Sequence, residues 1–277
     1  MSTYTEIIFE NTSTEQSEIL VAELSDVGFE GFEEGDKTLK AFIPSIDFNE
    51  DLVKEIAKEK GLNFSVSIIE EINWNEVWES NFSPIKVDHP LTKDPWVYIR
   101  ASFHQSSNNT RHEIIITPKM SFGTGHHATT YMMVQQMSMI DFTGKTVLDF
   151  GTGTGILAIL AEKLGAASVS AIDNDDWSIN NAKENITMNH CDKIELAKND
   201  KIPAKNRFDI ILANINKNVI LDNFSALISA LKTGGTLLIS GLLNEDEKDI
   251  LAAVTLHNAA ITQGFSQGNW CCLRINH

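Results

Sequence analysis

Four short runs in the second half of the chain, TVLDF, SVSAID, FDIILANI and TLLISGLL, are apolar nearly throughout, and each precedes a stretch with helical spacing. A strand with one wet face alternates polar and apolar residues, whereas a strand apolar at both parities has to be covered on both sides. GILAILAEKLG, WSINNAKENITMN, VILDNFSALISALKTGG and EDEKDILAAVTLH supply that cover as helices. Strands and helices in this alternation predict an α/β fold with a mostly parallel sheet. The last runs, ITQGF and WCCLRI, read as an antiparallel hairpin at its edge.

The front of the chain reads differently. TYTEIIFE, TLKAFIP and NFSVSIIEEI have strand spacing, while TEQSEILVAELSDVGF and NEDLVKEIAKEKG have helical spacing and stop at Gly28 and Gly61. With a further short strand around Gly31–Glu34, this order predicts a small α+β domain of ferredoxin-like type over residues 1–71. The aromatic-rich NWNEVWESNFSP follows, and a linker helix is expected over 72–86, ahead of the α/β domain at 87–277.

Charge separates the two parts further. The net charge is −16, and residues 1–90 hold 20 acidic against 6 basic side chains. Phosphates would be repelled there, so free nucleic acid is a poor partner and a basic protein a natural one. No apolar run approaches the roughly 20 residues of a membrane span, and the N-terminus has no signal-peptide pattern. Cys271 and Cys272 are adjacent and would point to opposite faces of a strand, leaving only Cys191, so no disulfide framework is expected and a reducing cytoplasm fits.

Chemistry concentrates where strands end. In Asp149-Phe-Gly151-Thr-Gly153-Thr-Gly155 the glycines let a strand–helix turn approach a ligand closely, with the helix amino end beyond it. The dinucleotide pattern would need glycine at Ile156 and is absent, so the motif is G-x-G-x-G after an acid. Asp173 ends the next strand, 22 residues after Gly151, where a carboxylate can accept both ribose hydroxyls or stabilise the following helix start, as Asp175 and Asp176 can. Asn214 ends the FDIILAN strand and brings both an acceptor and a donor, although asparagine is also a common turn former. An earlier cluster, PKMSFGTGHHATTYMM, reads as a loop feeding a helix, with Gly123 and Gly125 able to pass close to a ligand and Thr129 or Thr130 near the helix start. Adjacent His126 and His127 cannot easily converge on one metal ion, so no metal is expected. Met132, Met133, Met137 and Met139 read as core filling.

FGTGHHATT, then VLDFGTGTGILAILAEKLGAASVSAIDNDDWSINNAKEN, then DIILANI resembles the ribosomal protein L-eleven methyltransferase family, over about residues 116–241 strongly and over the front third in domain order. The resemblance implies a Rossmann-like class I methyltransferase domain with a seven-stranded sheet, a substrate-recognition domain before it, and S-adenosyl-L-methionine as cofactor. It implies transfer of methyl groups to lysine side-chain amines of that ribosomal protein, with its N-terminal amine as a further candidate. Thr130 matches the threonine that touches the cofactor from the preceding segment, Gly151 the first loop glycine, Asp173 the ribose acid and Asn214 the asparagine beside the transferred methyl. Phe122, Gly123, Gly125 and Gly153 join them as expected cofactor contacts, the first cluster forming a lid or wall over its methionine end. After Asn214 the family continues with small apolar residues and often proline; here Ile-Asn-Lys217 follows, which would bring polarity from Asn216 and charge from Lys217 to the substrate entrance. The alternatives are a class I methyltransferase for another protein or a small molecule, and a non-catalytic cofactor-binding module. Glutamine methyltransferases of this class typically have Asn-Pro-Pro-Tyr at that place.

Overall fold

The computed structural model describes residues 3–277 except 30, 36, 71–81, 108, 118–122 and 204–206. The chain divides into two compact units, residues 1–77 and 78–277. In the first, β1 (Thr3–Glu10), α1 (Thr14–Asp26), β2 (Gly31–Gly35), β3 (Thr38–Pro44), α2 (Glu50–Lys60) and β4 (Asn63–Glu70) follow one another. The strands form an antiparallel sheet in the order β2-β3-β1-β4, the ferredoxin-like arrangement. Burial alternates along β1 and β3, so Ile7, Phe9, Leu39, Ala41 and Ile43 face Leu20, Leu24, Val53 and Ala57 from the helices. Asn49 caps α2 by accepting from the Asp51 and Leu52 amides, and left-handed Gly61 ends it.

The second unit begins with a three-stranded sheet, β5 (Ile85–Asp88), β6 (Pro95–Arg100) and β7 (His112–Ile115), in which β5 is antiparallel and β7 parallel to β6. Most of the expected linker helix, 72–86, lies outside the described residues; its last two, Ile85 and Lys86, belong to β5, where Val87 is buried. Next come α3 (Ala128–Met137), β8 (Thr146–Phe150), α4 (Ile156–Lys163), β9 (Ser168–Asp173), α5 (Asp176–Met188) and β10 (Ile194–Lys198). The chain closes with β11 (Phe208–Asn214), α6 (Lys217–Ala230), β12 (Leu231–Leu243), α7 (Glu247–Leu256), β13 (Ala260–Gln267) and β14 (Trp270–Asn276).

Strands β10-β9-β8-β11-β12-β14-β13 make one sheet, parallel through β12 and antiparallel at the inserted β14. Successive residues of β8 enter opposite layers, Val147 with Met132, Met133 and Leu157, and Leu148 with Phe224, Leu227 and Ile250. That two-sided burial is why the strands carry no polar parity. Cys271 and Cys272 divide between the same two layers. The strand order reverses at β8, with β9 on one side and β11 on the other, which opens a crevice at their carboxyl ends. Among the described residues no helix is long and apolar enough to cross a membrane.

Candidate functional site

A cavity of about 690 Å³ occupies that crevice, lined by the tips of β8, β9, β11 and β12 and the turns after them. Its floor is the β8–α4 loop, in which Gly151, Gly153 and Gly155 all have φ between 53° and 80°. At Gly151 the requirement is steric as well: a side chain would run into Ile215 Cγ2.

Asp173, at the end of β9, grips this loop. Its Oδ2 accepts from the Gly153 amide at 2.9 Å and its Oδ1 from the Asp175 amide at 3.1 Å. A carboxylate has about four lone-pair positions, so acceptor capacity remains on the cavity side. Asp175 is the N-cap of α5, accepting from Ser178, while Asp176 pairs with Lys198 at 2.5 Å. Asn199 and Asp200 extend the polar lining beyond Asp173.

Beneath the loop, Asp149 is wholly buried. Its Oδ2 accepts from the Thr152 hydroxyl at 2.6 Å and the Ala158 amide at 3.1 Å, and its Oδ1 has no partner. Burial pushes its carboxyl up to about 7, against the pull of those two hydrogen bonds and with a small contribution from the Asp173 charge.

Asn214 ends β11 at the opposite wall. Its Nδ2 donates to Thr130 Oγ1 at 3.1 Å, and its buried Oδ1 has no partner. Thr130 is itself wholly buried, so it reaches the cavity through Asn214 rather than lining it. Ile215, the next residue, is wedged between two glycines: Gly151 faces its side chain and Gly241 its carbonyl.

The first glycine cluster is held mainly by its own chain. The Gly123 carbonyl accepts from the Thr154 hydroxyl at 2.8 Å, and a Cβ on Gly125 would sit 2.9 Å from both Ile85 Cδ1 and Ile99 Cδ1. Close packing against protein therefore accounts for both glycines, and neither lines the cavity; Phe122 lies outside the described residues. The adjacent histidines diverge. His126 meets Phe82 edge-on at 4.8 Å, while His127 caps α3 and meets Trp270 at 4.7 Å on the cavity wall. Asn216 lines the cavity and caps α6 through the Val219 amide. Lys217 departs from expectation: its ammonium is tied to Asp246 at 2.7 Å and Asp249 at 3.1 Å and does not line the cavity.

Sequence reasoning reaches the lining residues at strand ends and misses His127 and Trp270 as wall residues. Trp270 comes from the tip of the β13–β14 hairpin, and no local pattern links it to a cavity.

A profile of the family described as "Ribosomal protein L11 methyltransferase (PrmA)" matches residues 5–277. The chain belongs to the ribosomal protein L11 methyltransferase family. A ribosomal protein L11 methyltransferase of Porphyromonas gingivalis is 42% identical over 266 residues, 93% of this chain and 90% of its own length. One from Phocaeicola vulgatus is 34% identical, covering 94% and 93%. The crystal structure of a ribosomal protein L11 methylase from Lactobacillus delbrueckii subsp. bulgaricus superposes with a TM-score of 0.60 at 32% identity, covering 65% of this chain and 93% of that one. As a member of this family the chain is a methyltransferase that uses S-adenosyl-L-methionine. The cavity suits such a group: a carboxylate with spare lone pairs, the backbone of Gly151 and Gly153, and the carboxamide residue Asn214 line one space.

Proposed function

We propose that the chain methylates lysine side-chain amines of ribosomal protein L11 in the cytoplasm, with that protein's N-terminal amine as a further target. The observation that carries this reading is Asn214 at the carboxyl end of β11, a residue that lines the cavity and whose amide nitrogen donates to Thr130. An amine nucleophile has to arrive neutral with its lone pair free, and a lysine of reference pKa about 10.4 has lost its proton only rarely at neutral pH. Asn214 accepts an amine N–H through a neutral oxygen, which orients the lone pair without favouring the ammonium form as a carboxylate would. The bound cofactor supplies an electrophilic methyl on a sulfonium. Asp173 would accept its ribose hydroxyls, and the Gly151–Gly153 backbone would hold it from the loop. Thr130 acts through Asn214, while Gly123 and Gly125 support the lining from behind rather than touching the reacting centre. Alignment of two reactants is worth roughly 7–11 kcal/mol, enough for a displacement that needs little acid–base machinery.

In this reading residues 1–71 recognise the substrate, 72–86 link, and 87–277 transfer the methyl group. The acidic front captures a basic protein, and neither free nucleic acid nor a membrane is a partner. The test incubates purified L11 and the full chain with methyl-labelled cofactor and maps the label by peptide mass spectrometry. Label on lysine side-chain amines that is lost in Asn214→Ala, with cofactor affinity within a few-fold of wild type, supports it. Label on other residue types, or none on L11, rejects it.

A further inference from the structure

Among the described residues, the side of β7 away from β6 is paired with no strand. Instead α5 and its C-cap present Asn185 and Asn189 to it. Asn189 Oδ1 accepts from the Ile115 amide at 2.9 Å and its Nδ2 donates to the Ile115 carbonyl at 2.6 Å, so one carboxamide reproduces both bonds of a neighbouring peptide. One turn earlier, Asn185 Oδ1 accepts from the Thr117 amide at 2.8 Å. The spacing fits because four helical residues rise about 6 Å and two strand residues about 6.7 Å.

Asn185 differs from Asn189 in where its donor goes. Its Nδ2 donates to the Thr154 carbonyl at 2.8 Å, inside the Gly151–Gly155 loop, as well as to Asn181 Oδ1 at 3.3 Å. The Thr154 hydroxyl in turn donates to the Gly123 carbonyl. Thr154 thus holds both Thr117, through Asn185, and Gly123, directly. Asn185 and Thr154 are wholly buried, so these bonds do not compete with water. A loop with three left-handed glycines has little conformational preference of its own and takes its shape from such anchors.

We propose that Asn185 is a positioning residue that ties the Gly151–Gly155 loop to the chain at Thr117, beside the direct Thr154–Gly123 bond, so that cofactor affinity depends on a side chain outside the cavity. This rests on the reading that S-adenosylmethionine lies over the Gly151–Gly155 loop. Asn185→Asp keeps the acceptor for Thr117 and removes the donor to Thr154. Asn189→Asp makes the same chemical change at Ile115 and at the Asn185 carbonyl, without touching the glycine loop, and serves as the control for general destabilisation. Thr154→Val cuts the tie to Gly123 with little change in volume and provides a second route should Asn185→Asp fold poorly.

Cofactor dissociation constants by calorimetry, melting temperatures, and hydrogen exchange at residues 112–117 and 151–158 are measured in the full chain with and without S-adenosylmethionine. Asn185→Asp is expected to weaken cofactor binding about tenfold, the scale of one lost buried hydrogen bond. In wild type the cofactor protects both segments; in Asn185→Asp it no longer protects 112–117. Thr154→Val shifts affinity in the same direction, whereas Asn189→Asp lowers the melting temperature and leaves affinity within about twofold, less than half a kcal/mol by the usual conversion. Wild-type affinity in both Asn185→Asp and Thr154→Val overturns the proposal, as does an equal loss in Asn189→Asp. Absence of protection at 151–158 in the wild type overturns the cofactor placement and this inference with it, a result separable from the others.

Discussion

Asn214 offers a neutral acceptor where a carboxylate would bind an amine more strongly, and the difference has a kinetic signature. In Asn214→Asp a negative charge beside the substrate nitrogen favours the ammonium form and raises its pKa. The acid limb of the kcat/KM profile should therefore move to higher pH, with the rate at neutral pH falling about tenfold per unit of displacement. A limb that stays in place would remove Asn214 from contact with the amine. Asp149 gives a second test. Its folded pKa of about 7 lies above the ordinary aspartate value. Between about 4 and 7 the folded chain then holds a proton that the unfolded chain has released, so stability falls as pH rises through that window and stays lowered above it. A neutral carboxamide mimics the protonated acid, so Asp149→Asn should melt higher than wild type at pH 8 and lose the advantage towards pH 4. A constant difference in melting temperature across that range would contradict the assignment. Asp173 and Asn214 are legible from sequence because residues at the carboxyl ends of parallel strands must border the crevice. The missing partner of Asp149 Oδ1 and the His127–Trp270 wall are not, since each depends on what distant elements bring alongside.

At the scale of elements, the tips of β8, β11 and β12 are locked through Ile215. Gly241 has φ +85°, and a Cβ there would strike the Ile215 backbone rather than a movable side-chain end. Gly241→Ala must therefore displace the residue next to Asn214. We expect a loss of about 2 kcal/mol or more in denaturant unfolding together with a fall in kcat. Gly234→Ala, also at positive φ but with open space around it, should cost only about 1–2 kcal/mol and leave kcat alone. Equal effects on kcat would show that the wedge does not position Asn214. The central strands are legible because their two-faced burial writes itself as unbroken apolar runs. β10 escapes notice for the converse reason: as the outermost strand it is largely exposed, and IELAK carries little signal. β5, four residues long and half polar, begins inside the stretch whose composition suggests a linker helix.

For the whole molecule, the segregation of charge predicts a selective salt effect. Residues 1–90 carry most of the net −16. Between about 0.1 M and 1 M salt the screening length falls from about 10 Å to about 3 Å, so long-range capture of a basic protein weakens steeply. The KM for ribosomal protein L11 should rise severalfold over that range while the KM for S-adenosylmethionine changes little; parallel changes in both would place the electrostatics in the cavity instead. The division between the two compact units falls between 77 and 78, inside a stretch whose composition gives no break. The asparagine side chains along β7 carry one more consequence. An unfinished strand edge invites pairing with another copy, and repeated pairing is how soluble chains become fibrils. Carboxamides fill that edge without presenting a new one, so this sheet stops growing at α5. Chains lacking them should scatter more light on storage, even under conditions where they remain folded.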